Sequence, residues 1–142
     1  MLLVELYEAA DDAPIMALPL YEALVSAGFP SPADDYIDLK LDLNDYLVKR
    51  PCATYYARVS GDSMTGAGIL DGDIIVVDRS QMPSDGKIVV VAIDGEFTVK
   101  RIRYKGSEVM LHPENDKYPV IKLSRQEDFG FWGVVTGVVR KL

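Results

Sequence analysis

From Thr54 onward the chain is a succession of short apolar runs, broken at close intervals by glycine, aspartate and proline. The runs are TYYARV (54–59), DIIVVD (73–78), KIVVVAID (87–94), EFTVKRIRY (96–104), EVMLH (108–112), VIKL (120–123) and FWGVVTGVVRKL (131–142). Between them stand Gly-Ala-Gly, Leu-Asp-Gly-Asp, Pro-Ser-Asp-Gly, Asp-Gly and Pro-Glu-Asn-Asp. Most of these runs are too short for helices and are rich in β-branched and aromatic residues, so they read as strands joined by turns. Asp94-Gly95, between two such runs, is a tight-hairpin signal. Seven strands and almost no helix predict a mainly β body of twisted antiparallel sheets, barrel-like in closure. Apolar residues make up 49% of the 142, enough for one continuous core.

Residues 1–40 read differently. Pro19 interrupts the apolar run of IMALPLYEALVSAGFPSPADD, and Gly28, Pro30 and Pro32 follow in close succession. Pro30 and Pro32 hold their preceding residues extended. Leu18, Leu20, Leu24 and Phe29 are too few for a separate core, so 1–40 is expected to be an extended arm on a body of 41–142. A short helix is expected at DLNDYLVK, with Asp42 as its cap and Leu43, Tyr46 and Leu47 on one face.

The net charge of −7 is spread along the chain, and an acidic surface repels phosphate. Direct, sequence-specific DNA binding is therefore not expected. A single cysteine, Cys52, and a single histidine, His112, exclude a disulfide framework and a Cys/His zinc site within one chain. Cys52 is expected to be small and at least half-buried, and His112, beside Pro113, to be a turn residue. Trp132, with Phe131, Val134 and Val135, is expected in the core or at a dimer interface. Asp71-Gly72-Asp73 reads as turn chemistry, so neither a metal site nor a cofactor is predicted. MLLVELYEAADD lacks a basic leader and a long apolar run, which predicts a cytoplasmic protein without signal peptide or membrane span.

One loop raises a chemical question. Ser63 sits in SGDSMTGAGILDGD with no histidine near it in sequence. A hydroxyl attacks a carbonyl only when something takes its proton, and a neutral lysine can serve. Lysine ordinarily titrates near pH ~10.4, but burial disfavours the ammonium. Lys100 has a suitable address: strand alternation puts Thr98, Lys100 and Ile102 on one face and Phe97, Val99 and Arg101 on the other. Lys100 can then point inward while Arg101 faces water. Gly61, Gly66 and Gly68 allow amides near Ser63 to converge on an oxyanion. On local pattern alone, a turn-forming serine and a solvated strand lysine remain open as the ordinary alternatives.

The run Ser60-Gly61-Asp62-Ser63-Met64, then Gly68-Ile69, then Asp71-Gly72-Asp73 and an apolar strand, resembles the LexA/UmuD family of self-cleaving serine peptidases. The similarity continues through Asp94-Gly95-Glu96-Phe97-Thr98-Val99-Lys100-Arg101, with Lys100 at the family spacing of 37 residues from Ser63. Gly28-Phe29-Pro30-Ser31-Pro32 and Leu41-Asp42-Leu43-Asn44 resemble the UmuD branch in particular.

The resemblance implies Ser63 as nucleophile, Lys100 as general base, and the backbone amides of Asp62 and Ser63 as the oxyanion hole. It places the cleavage site at Ala27-Gly28, which would divide the 142 residues into pieces of 27 and 115. It further implies a homodimer, stimulation by a RecA filament on single-stranded DNA, and a processed form that serves a UmuC-type Y-family translesion polymerase. Physically, Ala27 suits a shallow pocket and Gly28 lets the backbone bend. The 26 residues from Gly28 to Thr54 reach about 85–90 Å when extended. An ordinary helix stop is the plainer reading of Ala27-Gly28. A repressor-type regulator without its DNA-binding domain and a non-catalytic polymerase-binding subunit are the competing functions. Signal peptidase I shares the Ser-Met and strand-lysine features but needs a membrane anchor, for which no segment is seen.

Overall fold

The computed structural model describes residues 1–10, 12–21, 37–123 and 129–142. Its strands are β1 (Leu2–Glu8), β2 (Ala17–Tyr21), β3 (Ile37–Asp42), β4 (Thr54–Ser60), β5 (Ile74–Asp78) and β6 (Ile88–Ile93). They continue with β7 (Glu96–Lys105), β8 (Glu108–His112), β9 (Ile121–Leu123) and β10 (Gly130–Val139). All seven predicted strands are present, as β4 to β10. The helix α1 (Leu43–Leu47) forms where expected, with the Asp42 carboxylate accepting the Asp45 amide at 3.0 Å. Among the described residues no helix is long and apolar enough to cross a membrane.

The main sheet runs β1-β4-β5-β10-β6-β7-β8-β9, every pairing antiparallel. Leu2 of β1 also pairs with Thr98 of β7, which closes the first six strands into a barrel and leaves β8 and β9 as an extension. The barrel thus has a lock: its ring is completed by the first residues of the segment read as an arm. A second piece of that segment, β2, pairs with β3.

Each seam has a local cause. Asp94 and Gly95 both have positive φ (50° and 81°), the twist a two-residue β6–β7 turn requires. The β10 ladder shifts register at Phe131/Gly133 and at Val135/Gly137. Gly133 has φ 131°, and a Cβ there would lie 2.6 Å from Val77 Cγ1, so only glycine fits this bulge. Bulges bend a long strand, which is what a small closed sheet needs from β10.

The core has two parts. Ala57, Val59, Met64, Ile69, Ile75, Val77, Val90 and Val99 form one cluster together with Met1, and Val89, Val91, Ile102, Val109, Leu111, Leu123 and Val134 form the other. Alternate valines of β6 serve different clusters, which is why Ile-Val-Val-Val lacks polar alternation. Each fully buried valine contributes roughly 1.5–3 kcal/mol by removal from water.

Two expectations need correction, and a third is narrowed from the core to the surface. Cys52 is exposed, carried on a short turn that begins at Pro51. His112 is the last residue of β8, not a turn residue, and its Nε2 is buried without a partner among the described residues. Trp132 is 36% exposed at the barrel wall, edge-on to Phe97 at 5.0 Å with the Arg79 guanidinium 4.5 Å above its ring.

Candidate active site

Ser63 is held in place by its neighbours on both sides. Met64 is fully buried in the first core cluster and pins the loop from one side, as Ile69 does from its far end. On the other side, the turn after β8 clamps the loop through main-chain bonds. The Glu114 amide donates to the Ser63 carbonyl at 2.7 Å, and the Gly66 amide donates to the Glu114 carbonyl at 2.8 Å. A Cβ on Gly66 would come within 2.7 Å of that carbonyl oxygen, so the glycine permits the close approach. Asn115 Nδ2 donates to the Asp62 carbonyl at 2.8 Å, and the Tyr118 hydroxyl to the Asp62 carboxylate. Ser63 itself is 1% exposed.

Lys100 comes from β7, across the barrel seam, and is 7% exposed. Its Nζ donates to Ser63 Oγ at 3.2 Å, to Thr98 Oγ1 at 3.2 Å and to the Val99 carbonyl at 3.1 Å. Burial lowers its pKa from the ordinary lysine value, because the ammonium loses hydration that three neutral acceptors only partly replace. A buried amine within hydrogen-bond distance of a buried alcohol is the arrangement a Ser-Lys proton transfer needs.

Arg101, expected to face water, is half-buried and tied down. It donates to Glu114 Oε1 at 2.5 Å and to the Gly86 carbonyl at 2.6 Å. The lysine strand and the turn that clamps Ser63 are therefore braced to each other by adjacent residues. Glu114 escaped the sequence reading because its main-chain bonds carry no residue signature and Pro-Glu-Asn-Asp read only as a turn.

The other missed participant is Met1. Its α-amine donates to Ser63 Oγ at 2.7 Å, and its carbonyl accepts from the Val99 amide at 3.1 Å and from Thr98 Oγ1 at 2.8 Å. Burial, then the neighbouring Lys100 charge, lowers the amine's pKa to about 5. No side chain announces such a contact, so no sequence signal points to it.

Ser63, Lys100 and Asp62 thus lie at one place, while Ala27 and Gly28 fall outside the described residues. Residues 19–136 match the family model described as Peptidase S24-like. The chain is 46% identical over 123 residues to Protein ImpA of Salmonella typhimurium, covering 87% of this chain and 83% of that protein. It is 43% identical over 134 residues to Protein MucA of Escherichia coli, covering 94% and 91%. It is 39% identical over 134 residues to the LexA repressor of Glaesserella parasuis, covering 94% of this chain and 62% of that protein.

Proposed function

The chain belongs to the peptidase S24-like, LexA/UmuD family, and from that premise we propose that it cuts its own arm at Ala27-Gly28 with Ser63 as nucleophile and Lys100 as general base. The observation that carries this reading is the 3.2 Å approach of Lys100 Nζ to Ser63 Oγ with both groups buried. The arm enters the cleft as an extended strand and displaces water. Loss of that water makes the Lys100 ammonium still less favourable, and it releases its proton. Neutral Lys100 takes the Ser63 proton as Oγ attacks the Ala27 carbonyl carbon.

Amides at Asp62 and Ser63 receive the oxyanion. Among the described residues the Ser63 amide donates to no other group, which leaves it free for that task. Lys100 next gives its proton to the Gly28 nitrogen as the C–N bond breaks. Water, deprotonated by the same lysine, then releases Ala27 from Ser63. Each unit of pKa lowering costs about 1.4 kcal/mol, which gives a physical reason for slow unassisted cleavage.

The UmuD-branch resemblance extends the proposal to partners. A RecA filament on single-stranded DNA favours the arm-docked state, and the homodimeric body left by the cut serves a Y-family polymerase engaged in translesion synthesis. Intact-mass spectrometry of the protein held at mildly alkaline pH tests the chemistry. The expected products are pieces of 27 and 115 residues, one ending at Ala27 and one starting at Gly28. A different bond, or none, removes the assignment. Added RecA filament is expected to speed the reaction near neutral pH; an unchanged rate removes the RecA part and leaves the chemistry standing.

A further inference from the structure

We propose that Met1–Glu8 is a resident occupant of the catalytic cleft, seated where the leaving amine must sit, and that β1 has to vacate before the arm can be cut. This rests on the reading of Ser63 as the nucleophile for Ala27-Gly28.

The argument begins with one atom. The nitrogen of a scissile peptide is bonded to the carbon that the hydroxyl attacks, so it comes within about 3–3.5 Å of that hydroxyl as reaction begins. The α-amine of Met1 lies 2.7 Å from Ser63 Oγ. Two nitrogens cannot share that place, so a docked Met1 and a docked Gly28 exclude each other.

The rest of β1 fits the cleft as a strand fits a receptor. Met1 bonds the β7 wall through its carbonyl, and its side chain joins the core cluster of Val59, Met64 and Val99. From Leu2 opposite Ser60 to Glu8 opposite Tyr55, β1 lies along β4 as an added strand. The seat therefore accepts an extended peptide whose first nitrogen lies against Ser63 Oγ, the position that the Gly28 nitrogen must take.

The segment pairs with β4 along its length, but its apolar burial is concentrated at one end. Met1 is 8% exposed, whereas Leu2, Val4, Leu6 and Tyr7 are between 43% and 59% exposed. Beyond Met1 and the half-buried Leu3, β1 buries little apolar surface, so its peeling away is cheap compared with loss of a core strand.

Two measurements on the full chain decide the matter. Leu3→Glu places a charge where β1 meets the core cluster. It is expected to speed self-cleavage about three- to tenfold by raising the fraction of chains with an open seat. An unchanged or slower rate in a variant with an unaltered thermal unfolding transition overturns the proposal. In the second, a synthetic peptide spanning residues 22–33 is added to Ser63→Ala protein, and hydrogen exchange is followed by mass spectrometry. Bound peptide is expected to raise exchange in residues 2–8. Binding that leaves their protection unchanged, or failure to bind even when Leu3→Glu is added to Ser63→Ala, overturns it. If neither the native chain nor Leu3→Glu cuts at Ala27-Gly28, the nucleophile assignment fails. The exchange result still decides the seat, because it needs no chemistry.

Discussion

Lys100→Ala and Ser63→Ala are each expected to leave the chain whole under conditions in which the native protein is expected to divide at Ala27-Gly28. For Lys100→Ala the expected loss is about 10²–10⁴-fold in rate, the usual worth of a positioned general base. Ser63→Ala removes the nucleophile, and the products fall below detection. Lys100→Arg separates the lysine's charge from its basicity: a guanidinium keeps the positive charge but does not give up its proton near neutral pH, so this variant is expected to be as inactive as Lys100→Ala. Quantifying the intact chain over time on denaturing gels, beside unfolding curves for each variant, checks all three. Cutting at the native rate in Lys100→Arg would remove the general base from the account. The proposed dyad is small and exacting, because its two groups come from opposite sides of the barrel seam and have only 3.2 Å between them.

The second large effect concerns stability. Asp73 is 2% exposed, and its carboxylate accepts two bonds from Arg140, each at 2.6 Å, and one from the Leu70 amide at 2.7 Å. Arg140 follows β10 and also donates to the Gly68 carbonyl, so this carboxylate ties the end of the chain to the loop that carries Ser63. Asp73→Ala is expected to cost about 2–3 kcal/mol, since it removes the acceptor of the part-buried Leu70 amide bond and breaks a paired fork. The figure stays below that for two buried charges because the Arg140 side chain is 41% exposed and recovers hydration. Thermal unfolding should show a loss of roughly 6–12 °C.

Acid should reproduce part of this effect. The Arg140 bond is the main reason the Asp73 pKa lies below the ordinary carboxylate value. Its contribution is therefore complete above the unfolded-state value and is lost as pH falls through the lower folded one. Stability that is flat from neutral pH down to pH ~2 in native protein, but not in Asp73→Asn, would contradict this.

The sequence was most readable where two signals coincided. For β4 to β10, apolar β-rich runs and turn residues marked the same boundaries, and the Asp94-Gly95 turn fixed the β6–β7 register. The α1 helix was legible because Asp42 combines a capping side chain with apolar residues at helical spacing. β1 was not legible because most of its side chains are exposed on both faces, which erases period-two alternation. β2 carries Pro19 within it, and such a run reads as a break.

The candidate site was legible in its side chains and silent in its backbone. The family resemblance, which set Lys100 37 residues after Ser63, foretold which groups would meet, where local pattern alone left the pair open. Nothing in residue identity foretold that Glu114 would clamp Ser63 through its amide, or that Arg101 would be drawn from solvent to a carboxylate on the same turn. Cys52 was misjudged because a small side chain after proline says little about which way a turn faces. His112 was read both as the end of EVMLH and as a turn residue beside Pro113, and the strand reading is the one that holds.

One titration reaches the foundation of the account. In Ser63→Ala protein, which stays whole, the ε-carbon resonance of Lys100 can be followed by NMR through the alkaline range. The account predicts a midpoint clearly below the ordinary lysine value of about 10.4, the direction burial dictates. A Lys100 that titrates at or above that value would keep its proton whenever cleavage is called for and would contradict the account.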